Sequence, residues 1–205
     1  MDSADIERSD VVVIGAGSGL GLAFARACAA RGARLWMIDG DPELLHDAVD
    51  QIVLLGGRVD FRVADLEDPD EVQDLVIDVR AKTPRLEVLF VAGASSTSAD
   101  LVRGLAPGLV RGGASVLFTE GGQTVRDEIL DAVGEPSVSV NALHLMGDAT
   151  VDDPEGAAAF LFLAGLRGEL RGLDFEIRRL ARALSSHGEE YVRSNAASLA
   201  QPLSG

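Results

Sequence analysis

Among 205 residues there are one cysteine, one lysine, one tyrosine, one tryptophan and two asparagines. Each scarcity closes off some chemistry. Cys28 alone cannot form an intrachain disulfide or a cysteine-built zinc site. The three histidines, His46, His144 and His187, are widely separated, so no metal is expected. Basic residues are outnumbered 18 to 33 by acidic ones, and the net charge of −15 repels phosphate backbones and anionic headgroups. Neither nucleic acid nor membrane is an expected partner. The longest apolar run, Gly156 to Leu166, has 11 residues, whereas a membrane-spanning helix takes about 20. The acidic opening Met1 to Arg8 lacks the basic start and apolar stretch of a secretory signal, and a cytoplasmic location is expected. Walker and Gly-x-Ser-x-Gly motifs are missing too.

What is present is alternation. Apolar, β-branched runs at Val11–Ile14, Leu35–Ile38, Val59–Val63, Val88–Val91, Ser115–Phe118, Val138–Leu143 and Leu173–Ile177 are separated by stretches of helical period. Those stretches are Gly19–Arg31, Glu43–Leu55, Asp70–Lys82, Asp100–Val110, Thr124–Val133 and Glu155–Leu166. Seven strands separated by helices must cross back over the sheet each time, so the strands pair in parallel and the fold is an open, doubly wound α/β sheet. Three Asp-Pro pairs, Asp41-Pro42, Asp68-Pro69 and Asp153-Pro154, each offer a capping carboxylate before a proline suited to the first helical position. Gly56-Gly57, Gly112-Gly113 and Gly168 fall where helices should stop. Residues 1–177 form this sheet domain; residues 178–205 form a carboxyl-terminal extension of one or two amphipathic helices.

Directly after the first strand comes Gly15-Ala16-Gly17-Ser18-Gly19-Leu20-Gly21. Glycines let a backbone turn sharply and approach a pyrophosphate, whose charge the next helix holds with its free amides. Spacing distinguishes two fingerprints: Leu20 occupies the position where G-x-G-x-x-G needs glycine, and Gly15, Gly19 and Gly21 fit G-x-x-x-G-x-G. A ligand-free strand-to-helix connection is the other reading. The second strand ends at Asp39, where a carboxylate accepts from an adenosine ribose and repels a 2′-phosphate, which favours NAD over NADP. A solvated turn acid is the plainer alternative.

With these residues the chain resembles the short-chain dehydrogenase/reductase family over Ser9 to Ile177. The resemblance implies a Rossmann-like fold and a nicotinamide cofactor. It carries over Gly15, Gly17, Ser18, Gly19, Leu20 and Gly21 as the turn, Asp39 as the ribose acid, Asp65 with Leu66 as the adenine contact, and Ala92 and Gly93 as what remains of an Asn-Asn-Ala-Gly segment. Phe90 and Val91 replace its two asparagines with bulk that has the size to crowd a dinucleotide. Val140-Asn141-Ala142 resembles the family's sixth strand.

The family's Tyr-x-x-x-Lys relay is not there: Tyr191 lies in the tail and is followed four places on by Asn195, and Lys82 precedes the fourth strand. A phenol without a lysine neighbour is a poor base near neutral pH. The spacings Gly93 to Ser115, Glu120 to Ser137 and Leu145 to Pro154 are short for the family, implying the loss of much of one helix, of the relay helix and of a substrate loop. Two readings follow. One is an NAD(H)-binding, non-catalytic relative that assembles as a homo- or hetero-oligomer through the apolar segment Pro154 to Ile177, with an active short-chain dehydrogenase as a candidate partner; ordinary core burial explains that segment equally well. The other is an active oxidoreductase using Thr119, Glu120 and His144, with His144 alternatively a structural residue.

Overall fold

The structure, a computed structural model, describes residues 6–93, 96–119, 123–144, 154–165 and 170–202. In chain order the elements are β1 (Asp10–Ile14), α1 (Gly19–Ala29), β2 (Arg34–Asp39), α2 (Pro42–Leu54), β3 (Arg58–Val63), α3 (Pro69–Lys82), β4 (Val88–Val91), α4 (Ser96–Gly112), β5 (Ser115–Thr119), α5 (Gln123–Val133), β6 (Ser139–His144), α6 (Pro154–Gly165), β7 (Leu173–Glu176), α7 (Ile177–His187), α8 (Glu189–Ser194), α9 (Ala196–Leu199) and β8 (Gln201–Pro202). The sheet order is β3-β2-β1-β4-β5-β6-β7-β8. Strands β1 to β7 are parallel, as their alternation with helices requires. The winding reverses between β1 and β4, which opens a crevice beyond the carboxyl ends of those strands. The tail adds β8, a two-residue antiparallel pairing of Gln201 and Pro202 with Asp174 and Leu173.

Alternate side chains of the inner strands enter two separate cores, one per face, whereas the edge strand β3 buries none of its side chains. Val11 and Val13 of β1 join Phe24 of α1, Ile52 of α2 and Phe160 of α6; Val12 and Ile14 join Leu75 of α3, Leu105 of α4 and Ile129 of α5. Phe24 stacks on Phe90 at 4.5 Å between ring centroids, and Phe160 meets Phe24 edge-on at 5.5 Å. The bulk of Phe90 and Val91 is therefore spent inside the two cores and not in the crevice. Cys28 is fully buried in the same layer as Phe24, which pushes its thiol well above the ordinary range.

Asp41 caps α2, accepting from the amides of Glu43 and Leu44, and Asp68 caps α3 through Asp70. Pro154 begins α6 as expected; Asp153 and Gly168 lie outside the described residues. The short spacings do not remove the helices after β4 and β5. Instead α4 runs 17 residues and α5 runs 11. A crossover between parallel neighbours must traverse the sheet from edge to edge, and at about 1.5 Å per residue that length cannot be given up. Arg171 steadies the end of α5: its guanidinium donates to the carbonyls of Leu130, Glu135 and Val138. Asn141, fully buried in β6, donates to the Leu170 carbonyl and accepts from the Leu173 amide, guiding the chain into β7.

The tail beyond Glu176 packs on the sheet domain. Ile177, Leu180, Ala181, Val192 and Ala196 are buried in the same core as α1 and α6. Along α6, residues 159–164 are buried, and Ala158 is exposed. The apolar character of α6 is met by the chain's own α1, β5 and α7. Replacing Phe24 by alanine removes the central ring of this core. Urea unfolding should report a loss of about 3–5 kcal/mol, with native-like circular dichroism retained in buffer.

Candidate functional site

The glycine turn is closed by contact, not only by sequence preference. A Cβ on Gly21 would stand 1.9 Å from the carbonyl oxygen of Gly15, and one on Gly15 would meet the Ala92 Cβ at 2.9 Å. Gly15 and Gly19 also hold positive φ, +68° and +54°, a region that disfavours side chains. Gly19 itself faces open space, so its requirement is conformational alone. Helices α2, α3 and α7 each start with a carboxylate on their first amides. α1 does not: Ser18 makes no side-chain cap and no acid stands in the first turn. Its first amides are thus without a side-chain acceptor from Ser18 or from an acid of the first turn.

Asp39 binds the turn to β2. One carboxylate oxygen accepts from the Gly17 amide at 2.8 Å and the other from the Asp41 amide at 3.0 Å. Each oxygen has a second lone pair, so the group retains capacity for ribose hydroxyls. Residues Gly40 to Leu45 contain no basic side chain that would neutralise a 2′-phosphate. The exposed Asp65 accepts from the Glu67 amide, its own amide donates to Glu71, and the carbonyl of Leu66 accepts from the Thr97 hydroxyl. Thr97, at the start of α4, was not legible as a site residue; only the fold brings it to the end of β3. A cavity of about 370 Å³ opens between α3 and α4, lined by Val72, Val76, Thr97 and Gly104 among others; none of the predicted site residues lines it.

Thr119 and His144 end β5 and β6 at the same sheet edge as the turn. The buried Thr119 hydroxyl accepts from the Gly93 amide at 2.9 Å, tying β5 to the end of β4. Glu120 lies outside the described residues. His144 meets Asp174 of β7, Nδ1 to Oδ1 at 2.8 Å, and Arg126 of α5 donates to Oδ2 of the same carboxylate at 2.9 Å. Asp174 reads in sequence as one acid among many; register places it opposite Ala142, on the face that His144 shares.

Tyr191 and Lys82 are not brought together. Tyr191 sits half-exposed on α8 against the His187 ring, and Lys82 lies at the far end of α3 over the Trp36 ring, beside Asp10 and Arg34 at the amino edge of the sheet. Among the described residues no group of three His, Cys, Asp or Glu could hold a metal, and no helix is long and apolar enough to cross a membrane.

Replacing Gly21 by alanine must force the turn apart, whereas Gly19→Ala costs only the left-handed conformation, about 1–2 kcal/mol. Thermal unfolding should therefore show a clearly larger drop in Tm for Gly21→Ala than for Gly19→Ala.

Comparison with known proteins agrees with this geometry. A family model described as short chain dehydrogenase matches residues 9–106, from the start of β1 into α4. The 1-deoxy-11-beta-hydroxypentalenate dehydrogenases of Streptomyces avermitilis and Streptomyces arenae are 41% and 42% identical over 70 and 64 residues, or 34% and 31% of this chain. Those stretches span only 26% and 23% of the relatives' own length. Among solved structures, a putative short chain dehydrogenase from Escherichia coli CFT073 superposes with a TM-score of 0.72 at 16% identity, covering 87% of this chain and 99% of that one. An NADH-dependent reductase complexed with NAD superposes with a TM-score of 0.69 at 17% identity over 85% and 97%. Sequence over residues 9–106 and fold over most of the chain thus agree in one likeness, to the short-chain dehydrogenases.

Proposed function

We propose that this chain binds NAD(H), in preference to NADP(H), and does not work through a Tyr-x-x-x-Lys relay. The observation that carries the reading is the Asp39 carboxylate, which holds the Gly17 amide of a turn leading into an uncapped helix. A dinucleotide bound there has its pyrophosphate on the α1 amides and its adenosine ribose on Asp39, with Asp65 and Leu66 toward the adenine. By the relay alone the protein is non-catalytic and retains its nucleotide for assembly or sensing. A second reading, an oxidoreductase with a different acid–base group, is favoured by the pairing of His144 with Asp174.

Calorimetric titration tests the nucleotide. NAD and NADH should bind, NADP roughly tenfold more weakly or worse, and Asp39→Ala should lose about 1.4 kcal/mol or more for NAD(H). Absence of heat with both NAD and NADH removes the reading.

Pro154 to Ile177 is the proposed assembly surface, with an active short-chain dehydrogenase as one partner. Because α7 and β8 already cover α6 and the edge of β7, a partner must build on the outer face of the tail or displace it. Native mass spectrometry at micromolar concentration should show a dimer or heteromer; monomer alone discards the surface.

A further inference from the structure

We infer that His144, oriented by Asp174 and Arg126, is the acid–base group of this chain and protonates or deprotonates the oxygen of a carbonyl or alcohol substrate at the carboxyl edge of β5 and β6. The inference rests on the nucleotide reading above and supplies what its second branch lacks, a proton donor.

Position comes first. The residues proposed for the adenosine half and the pyrophosphate stand at the ends of β3, β2 and β1. A dinucleotide laid across the switch point from that side extends its other half over β4, β5 and β6. His144 is the last residue of β6, and Thr119, the last of β5, stands beside it in the order of the sheet.

Geometry comes second. Asp174 is 11% exposed at its side chain, and both of its oxygens are engaged, one by His144 and one by Arg126. A buried carboxylate requires such partners, and Arg126 alone would neutralise the charge. The added imidazole bond does something further. It places a proton on Nδ1, fixes the ring, and leaves Nε2 directed away from the carboxylate. His144 is 37% exposed at its side chain, and its Nε2 has no partner among the described residues. The other charged group in register with His144 is Glu176 of β7, whose carboxylate is occupied in capping α7 through the amides of Arg178 and Arg179.

The step balances with these groups. A dihydronicotinamide, when bound, supplies a hydride to the carbonyl carbon. The C=O π pair moves to oxygen and takes the proton from Nε2 of the doubly protonated imidazole. His144 returns to its neutral form with the remaining proton on Nδ1, held by Asp174, and regains a proton from solvent through its exposed side. Alcohol oxidation runs the same transfers in reverse, with Nε2 accepting.

The test uses the full chain with ¹⁵N-labelled histidine. Neutral His144 should carry its proton on Nδ1. In Asp174→Asn, Arg126 keeps the one remaining carbonyl oxygen and the amide NH₂ faces Nδ1, so the proton should move to Nε2. A wild-type imidazole protonated on Nε2, or a tautomer unchanged in the variant, overturns the assignment independently of any substrate. A second arm follows NADH consumption with the vicinal diketone diacetyl. His144→Gln should reduce the rate at least 100-fold and Asp174→Asn at least tenfold, while calorimetry shows NADH affinity within about twofold of wild type. Loaded protein that consumes no NADH, or a His144→Gln rate equal to wild type, overturns the catalytic role. Failure of NADH to bind at all fells the nucleotide reading, and this proposal with it, and calorimetry distinguishes that outcome from the others.

Discussion

The approach of Gly21 to the carbonyl of Gly15, close enough to leave no room for a Cβ, is the contact on which the rest is arranged. It sets the angle at which α1 leaves the sheet. That angle seats Phe24 on Phe90 and against Phe160, and so joins α1, β4 and α6 in one core. It also leaves the first amides of α1 facing the crevice without a protein cap. The same glycine contact therefore fixes the packing of α1 and the exposure of its first amides, and a side chain at Gly21 disturbs both.

Carboxylates divide the remaining work at the sheet's upper edge. Asp41, Asp68 and Glu176 neutralise the starts of α2, α3 and α7. Asp39 instead joins strand to turn, and Asp174 joins three elements, β6, β7 and α5. A chain with a net charge of −15 carries many acids. The ones that matter for the site are distinguished by burial and by the backbone or cationic groups they face. Asp174 draws Arg126 from α5, the helix that follows β5, to one oxygen and holds the His144 imidazole on the other.

The carboxyl-terminal tail answers a different constraint. An edge strand and a helix apolar on nearly every side cannot be left in water. Ile177, Leu180 and Ala181 of α7 cover the outer side of α6, the Arg193 guanidinium lies over the Phe162 ring, and β8 pairs with the free side of β7. The tail thereby completes the core that the sheet domain opens.

By itself the sequence determined the alternation of strands and helices, the parallel sheet, the capping aspartates and the glycine turn. All of these are set within a few residues by backbone geometry and hydrophobic period. The sequence also shows no Tyr-x-x-x-Lys spacing, since its tyrosine, Tyr191, is followed four places on by Asn195. What only the tertiary structure decided are the relations across strands: Thr119 on the Gly93 amide, Thr97 on Leu66, Phe90 turned into the core, and His144 on Asp174, 30 positions away. Those pairings depend on register, and a shift of one residue turns each side chain to the opposite face. No local pattern distinguishes the two arrangements until the sheet is assembled.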